Sequence, residues 1–328
     1  MDTKPTFILF FGTGWAGTTS ICETLRVNYY FHPGYKKENM ILYRLNEWNQ
    51  WGFLEPDQFF SDRRFKTPIV HPERLKKARE SRNGTYKGSK KEEMLLGHLK
   101  QSTEDSILGP FPSLKDYVEF YRELSEVIKP YYQATGDFSN PNGFLPDDFL
   151  VQVKQALEPY FNIKTFIIFR DPVRRLFSNV NHNFFVNHVY KEKSVIEAFS
   201  NEIKNSHLNT HQDYAYMVER LRRIFGDTEY LIMEDFFKEN YRGEVEKLER
   251  YLDYKLPIIT KCYFVPDKGI NVQEGDPNLE DQWGCDREIL TPELYTEARQ
   301  QLSKIYDKFE TLHGFLPADW GEPIDYGY

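Results

Sequence analysis

Three glycines, Gly12, Gly14 and Gly17, separate the apolar run Phe7–Phe11 from a stretch of helical character that begins at Thr18. A strand, a glycine turn and a helix in that order make an anion site: successive backbone N–H groups converge on one point, and the helix offers its positive end. The nucleotide-hydrolysing version reads G-x-x-x-x-G-K-[ST]. Here Gly12 and Gly17 occupy the glycine places, but Thr18 stands where the lysine belongs and Thr19 follows. The anion site survives, with two hydroxyl donors added, and the cation that reaches a γ-phosphate is gone. That argues against an ATP or GTP kinase. The same glycines also suit a plain strand–helix connector.

A second stretch, FIIFRDPVRRLFSNVNH, pairs an arginine with a serine. The apolar run ends at Arg170, so its side chain emerges at the C-terminal edge of a sheet, where ligands bind in open α/β folds. Pro172 suits the first turn of the next helix, and Ser178 lies within that helix. Arg170 and Ser178 are therefore placed to converge on a second phosphate, with Arg175 nearby. The structural alternative is an ion pair between Arg170 and Asp171. His182 follows Ser178 by one helical turn, which fits a place near the nucleotide or in packing. His32, His71 and His98 lack a motif context, and the acidic and histidine residues show no metal-ligand spacing.

These residues need a scaffold. Phe7–Phe11 and Lys164–Arg170 read as buried strands, as does EYLIMEDF (229–236). Helical patterns cover Thr18 to about Tyr30, 113–131, 145–161, a segment from Pro172, 214–225 stopped by Gly226, and about Pro292 to His313. The alternation predicts an α/β fold with a central parallel sheet flanked by helices, three-layered and like that of P-loop NTPases. A single domain over 1–328 is expected, with an insertion at about 45–130. Within it, residues 62–104 carry twelve Lys and Arg against six Asp and Glu, a local excess of positive charge in a chain of net charge −8. That stretch reads as a solvated insertion or as a cationic lip for an anionic acceptor.

Net negative charge argues against nucleic-acid binding, and no apolar run approaches the roughly 20 residues of a membrane span. Cys22, Cys262 and Cys285 form no metal or redox pattern, which fits a reduced, cytoplasmic setting. Aromatic residues are 16% of the chain, mostly expected in the core.

Together the two motifs resemble those of sulfotransferases that use 3′-phosphoadenosine 5′-phosphosulfate (PAPS), nearer to the glycan-sulfating and bacterial branches than to the cytosolic small-phenol branch. The likeness is scattered over most of the chain outside about 45–130. It implies that Thr13, Gly14, Trp15, Ala16, Gly17, Thr18 and Thr19 cradle the 5′-phosphosulfate, and that Arg170 and Ser178 hold the 3′-phosphate. PDKGIN resembles the family's late K-G loop, which implies nucleotide contacts from Lys268 and Gly269. GYKKENMILYR nominates Glu38 as general base; GDFSN nominates Asp137 as the second candidate. The implied reaction moves a sulfuryl group to a hydroxyl or amine of a small-molecule or glycan acceptor, without a metal, leaving 3′-phosphoadenosine 5′-phosphate. The pattern breaks at one place: relatives carry a lysine or arginine three residues before the position of Thr18, where this chain has Trp15. Another cation in its place (Lys36, Lys37, Lys268 or an arginine of the basic insertion), the loop and Thr18 acting without one, and nucleotide binding without transfer all remain open. A small-molecule kinase is the third class.

Overall fold

The computed structural model describes residues 4–33, 42, 45, 113–185, 190–205, 213–236, 242–259, 262–265, 270–273 and 290–321, with only the backbone of Val127, His182, Phe185, Asn205 and of 262–265 and 270–273. Five strands, β1 (Thr6–Phe10), β2 (Phe31–His32), β3 (Ala134–Asp137), β4 (Asn162–Phe169) and β5 (Thr228–Ile232), form a parallel sheet in the order β2-β3-β1-β4-β5. Helices flank it, as the strand–helix alternation requires. The strand order reverses at β1, and the chain leaving β1 enters the glycine loop directly. A reversal of this kind is where open α/β sheets bind ligands. A separate antiparallel pair joins β6 (Cys262–Val265) to β7 (Ile270–Gln273).

The chain divides into two units. The first comprises residues 1–10 and 29–164. There β3 lies between β1 and β2, with Leu9 opposite Asp137 and Phe31 opposite Ala134. Helix α2 (Leu114–Ile128) starts under a Ser113 cap and buries Tyr117 and Tyr121. Phe7 meets Tyr117, Tyr121 and Phe161 at ring-centroid distances of 6.3, 4.9 and 5.2 Å, and Phe10 stacks on Phe138 at 4.1 Å. Helix α3 (Asp147–Leu157) begins with Asp147 and Asp148 at its positive end, as expected of a first turn.

The second unit comprises residues 11–28 and 165–328. Helix α1 (Thr18–Val27) follows the glycine loop; α4 (Pro172–Phe185) follows β4. Helices α5 (Val195–Asn205) and α6 (Tyr214–Phe225) come next, α6 capped by the Asp213 carboxylate and ended at Gly226 with φ 89°. Strand β5 pairs with β4 from Thr165↔Thr228 to Phe169↔Ile232. Then come α7 (Met233–Phe236), α8 (Arg242–Leu252), α9 (Pro292–Gln301) and α10 (Ser303–His313). Phe169, Tyr214, Phe309 and Trp320 form an aromatic core, with Phe169 stacked on Tyr214 at 4.4 Å.

The fold departs from the sequence reading in three places. EYLIMEDF is not all strand: β5 stops at Ile232 and α7 takes over, which turns Glu234 inward to accept a hydrogen bond from the Asp171 amide. The final helical pattern is two helices broken at Leu302, which leaves the helical ψ range (φ −93°, ψ 8°). Helix α1 stops at Val27 rather than Tyr30, because Asn28 caps it through Nδ2 to the Thr24 carbonyl and Tyr29 turns left-handed at φ 57°. The two-residue β2, the β6–β7 pair, α5 and α8 were not expected. The basic stretch 62–104 lies outside the described residues.

Gly136 in β3 has φ +155°, and a Cβ there would stand 1.9 Å from the Ile8 carbonyl oxygen of β1. Neither strand backbone can yield, so only glycine fits. Gly136→Ala is expected to lower the unfolding free energy by about 4 kcal/mol, at the extreme of single substitutions, measurable by urea denaturation.

Candidate anion-binding site

The glycine loop and the arginine–serine pair meet within the second unit. Arg170 Nη1 donates to the Trp15 carbonyl at 3.0 Å and to Ser178 Oγ at 2.7 Å. Ser178 reaches Arg170 because both lie on one strand–turn–helix connection, eight positions apart. Trp15 reaches it because the glycine loop and the β4 exit lie side by side. Thr13 adds a second tie, its hydroxyl donating to the Ile168 carbonyl at 2.9 Å. The Thr13 side chain therefore anchors the loop, and only its backbone amide remains for an anion.

The loop has the backbone of an anion cradle. Trp15 is left-handed at φ 63° and Gly17 at φ 72°, immediately before α1. For a tryptophan that conformation costs about 1–3 kcal/mol; it is held in place by the Arg170 bond to its carbonyl. Thr13, Ala16 and Thr18 are buried, Gly14, Gly17 and Thr19 half-buried, and the Trp15 side chain 38% exposed. Helix α1 has no acidic residue in its first turn. Its positive end is therefore not neutralised from within, which leaves its field for an external anion.

Arg175 does not face this site. It is buried, and its side chain hydrogen-bonds to Tyr214. The expected alternative, an Arg170–Asp171 pair, is also not how Asp171 is used. Asp171 Oδ1 accepts from the Arg174 amide at 3.0 Å and caps α4, while Oδ2 accepts from Tyr295 at 2.8 Å and Tyr306 at 3.1 Å. Burial pushes the Asp171 carboxyl above its ordinary range, and these donors pull it back down. Glu234 is raised by burial too, with the positive charge of Arg170 acting in the opposite direction. The sequence carried no signal for Tyr214, Tyr295, Tyr306 and Trp320 as partners of this turn, because their hydrogen bonds cross 44 to 135 positions.

Glu38, Lys268 and Gly269 lie outside the described residues, as do Lys36 and Lys37. His32 is buried edge-on against Tyr132 at 5.0 Å, a packing position. Cys22 is buried and outside any disulfide. Among the described residues no group of three or more His, Cys, Asp or Glu side chains is placed to hold a metal ion, and no helix is long and apolar enough to cross a membrane.

Asp137 belongs to the first unit. It is wholly buried, and its Oδ2 accepts from the Tyr117 hydroxyl at 3.2 Å, while Oδ1 has no partner of good geometry. Burial raises its pKa to about 6 against the opposing pull of hydrogen bonds from Ser139, Asn142 and Tyr117. Desolvation therefore outweighs these hydrogen bonds.

No protein-family model matches the chain, and no curated protein sequence does. Among solved structures, it is similar to a sulfotransferase from Alicyclobacillus acidocaldarius at 16% identity and a TM-score of 0.45, with 97% of this chain and 99% of that one covered. It is also similar to sulfotransferase STF9 from Mycobacterium avium at 11% identity and a TM-score of 0.37, with 95% and 77% covered. The likeness is one of chain path.

The raised Asp137 pKa gives stability a definite pH sign. The folded state holds this proton more tightly than the unfolded chain between about pH 4 and pH 6, so stability falls as pH rises through that window. Against Asp137→Asn, which cannot titrate, the wild-type protein should lose about 2 kcal/mol of relative stability from pH 4 to pH 6.5. Urea midpoints at a series of pH values measure this; a flat difference would refute it.

Proposed function

We propose that this protein is a PAPS-dependent sulfotransferase that moves a sulfuryl group to a hydroxyl or amine, most simply on a carbohydrate. One observation carries the reading: Arg170 Nη1 lies within hydrogen-bonding distance of both Ser178 and the glycine-loop carbonyl of Trp15. A nucleotide with phosphates at both its 5′ and 3′ positions matches a loop cradle and an arginine–serine pair held that close together. The uncapped positive end of α1 fits a 5′-phosphosulfate, and a guanidinium beside a hydroxyl fits a 3′-phosphate.

In this reading the backbone amides of residues 13–19 hold the 5′ group, with the hydroxyls of Thr18 and Thr19, while Arg170 and Ser178 hold the 3′-phosphate. Lys268 and Gly269 close over the nucleotide. PAPS supplies an activated sulfuryl group whose transfer builds negative charge on the departing phosphate, and loop amides aimed at that charge lower the barrier. Of the two candidate bases, Glu38 is preferred, because the Asp137 carboxylate is wholly buried and a base must touch the acceptor. The aromatic richness and the basic stretch 62–104 favour a sugar or an anionic acceptor. No metal is required.

Trp15 favours a second reading, nucleotide binding without transfer, since an indole carries no charge where relatives use a cation. Incubating the protein with labelled PAPS and a glycan panel separates the two. Transfer to any acceptor supports the enzyme; tight binding without turnover supports the module. Stabilisation by ATP with Mg²⁺ but not by the 3′,5′-bisphosphate would replace both with a kinase.

Arg170→Ala removes a charge-assisted phosphate contact and should weaken adenosine 3′,5′-bisphosphate binding by about 10- to 100-fold, read by calorimetry. Unchanged affinity would overturn the reading.

A further inference from the structure

Arg170 is the last residue before the chain turns from β4 into α4, and one peptide unit sets its direction. That unit, between Arg170 and Asp171, is held at both ends by side chains. The Arg170 carbonyl accepts from the Tyr214 hydroxyl at 2.9 Å. The Asp171 amide donates to Glu234 Oε1 at 2.9 Å. The ladder between β4 and β5 has already ended at Phe169↔Ile232, so side chains take over where backbone pairing stops.

The clamp is itself supported from behind. Tyr214 is buried, stacks on Phe169, and receives a hydrogen bond from Arg175. Glu234 Oε2 accepts from Trp320 Nε1 at 3.1 Å. Tyr295, which binds Asp171, also accepts from the Gly321 amide at 2.8 Å. The segment from α9 to Gly321 is thus bonded to the turn that aims Arg170.

We infer that Tyr214 and Glu234 are positioning residues for 3′-phosphate recognition: by pinning both ends of the Arg170–Asp171 peptide, they hold the guanidinium where it meets Ser178 and the glycine loop. A peptide plane fixed at one end can still rotate about its flanking bonds. Fixed at both, it cannot, and a side chain as long as arginine magnifies any rotation at its root. Each clamp bond therefore acts on the nucleotide through Arg170 and touches no ligand itself. This rests on the nucleotide reading given above.

The test uses the full chain and two probes, adenosine 3′,5′-bisphosphate and AMP, whose affinity ratio isolates the 3′-phosphate. Tyr214→Phe keeps the ring stacked on Phe169 and removes only the hydroxyl. It should reduce the bisphosphate-over-AMP preference about tenfold, the scale of one hydrogen bond to a well-placed group, with AMP affinity held within about twofold. In an Arg170→Ala background the same change should leave the ratio where Arg170→Ala alone puts it. Trp320→Phe, which loosens Glu234 without altering charge, should shift the ratio in the same direction by a smaller factor and serves if Tyr214→Phe does not fold. If the variants lose stability yet discriminate as well as wild type, Tyr214 and Glu234 are structural only and the proposal is wrong. If wild type itself does not distinguish the two probes, the nucleotide reading falls and the proposal with it.

Discussion

A carbonyl at the tip of a glycine loop and a guanidinium at the end of a buried strand stand one hydrogen bond apart, although 155 positions separate them. That bond joins two motifs that are individually weak. A glycine loop alone is a connector, and an arginine at a strand end alone is a surface charge. Brought together, with a helix start free of acidic residues alongside, they make the candidate anion site. The bond also stabilises a left-handed tryptophan, a conformation that a bulky residue adopts only when its surroundings impose it.

Around that contact the protein places carboxylates where water cannot reach them. Asp171 and Glu234 are both buried and both raised by desolvation. Each is retained with donors arranged around it: tyrosine hydroxyls, an indole N–H and backbone amides. An unmatched buried charge would cost several kcal/mol, so this arrangement specifies one geometry for the turn it surrounds. In the first unit, Asp137 follows the same logic: it is wholly buried, and desolvation raises its pKa against the donors around it. The abundance of tyrosine fits this chemistry, because a buried phenol brings packing area and one directed hydrogen bond. Tyr117, Tyr214, Tyr295 and Tyr306 all use both.

Much of the scaffold was legible in the sequence. The apolar runs at Phe7 and at 164–170 are uninterrupted because a central parallel strand is covered on both faces, and that pattern is local. Asp147, Pro172, Gly226 and the amphipathic spacing of 113–131 marked helix starts, stops and faces for similarly local reasons. What failed was short or conditional: a two-residue strand has no period to read, and a four-residue helix after Ile232, with Glu234 hydrogen-bonded to the Asp171 amide, is too short to show a helical pattern. The break at Leu302 is a packing decision between two helices that continuous amphipathicity conceals.

The sequence by itself determined the types of group available for an anion and their order along the chain: a glycine turn lacking its lysine, then an arginine and a serine eight positions apart. Those follow from residue identity and short spacing, which a linear reading can see. Only the tertiary structure decided that Arg170 turns to Ser178 and Trp15 rather than to Asp171, that Arg175 faces inward to a tyrosine, and that Asp137 is sealed from solvent. The physical reason is range. Hydrogen bonds and burial act between groups brought near by strand order, and strand order is set by the balance of packing over the whole sheet, not by any one segment.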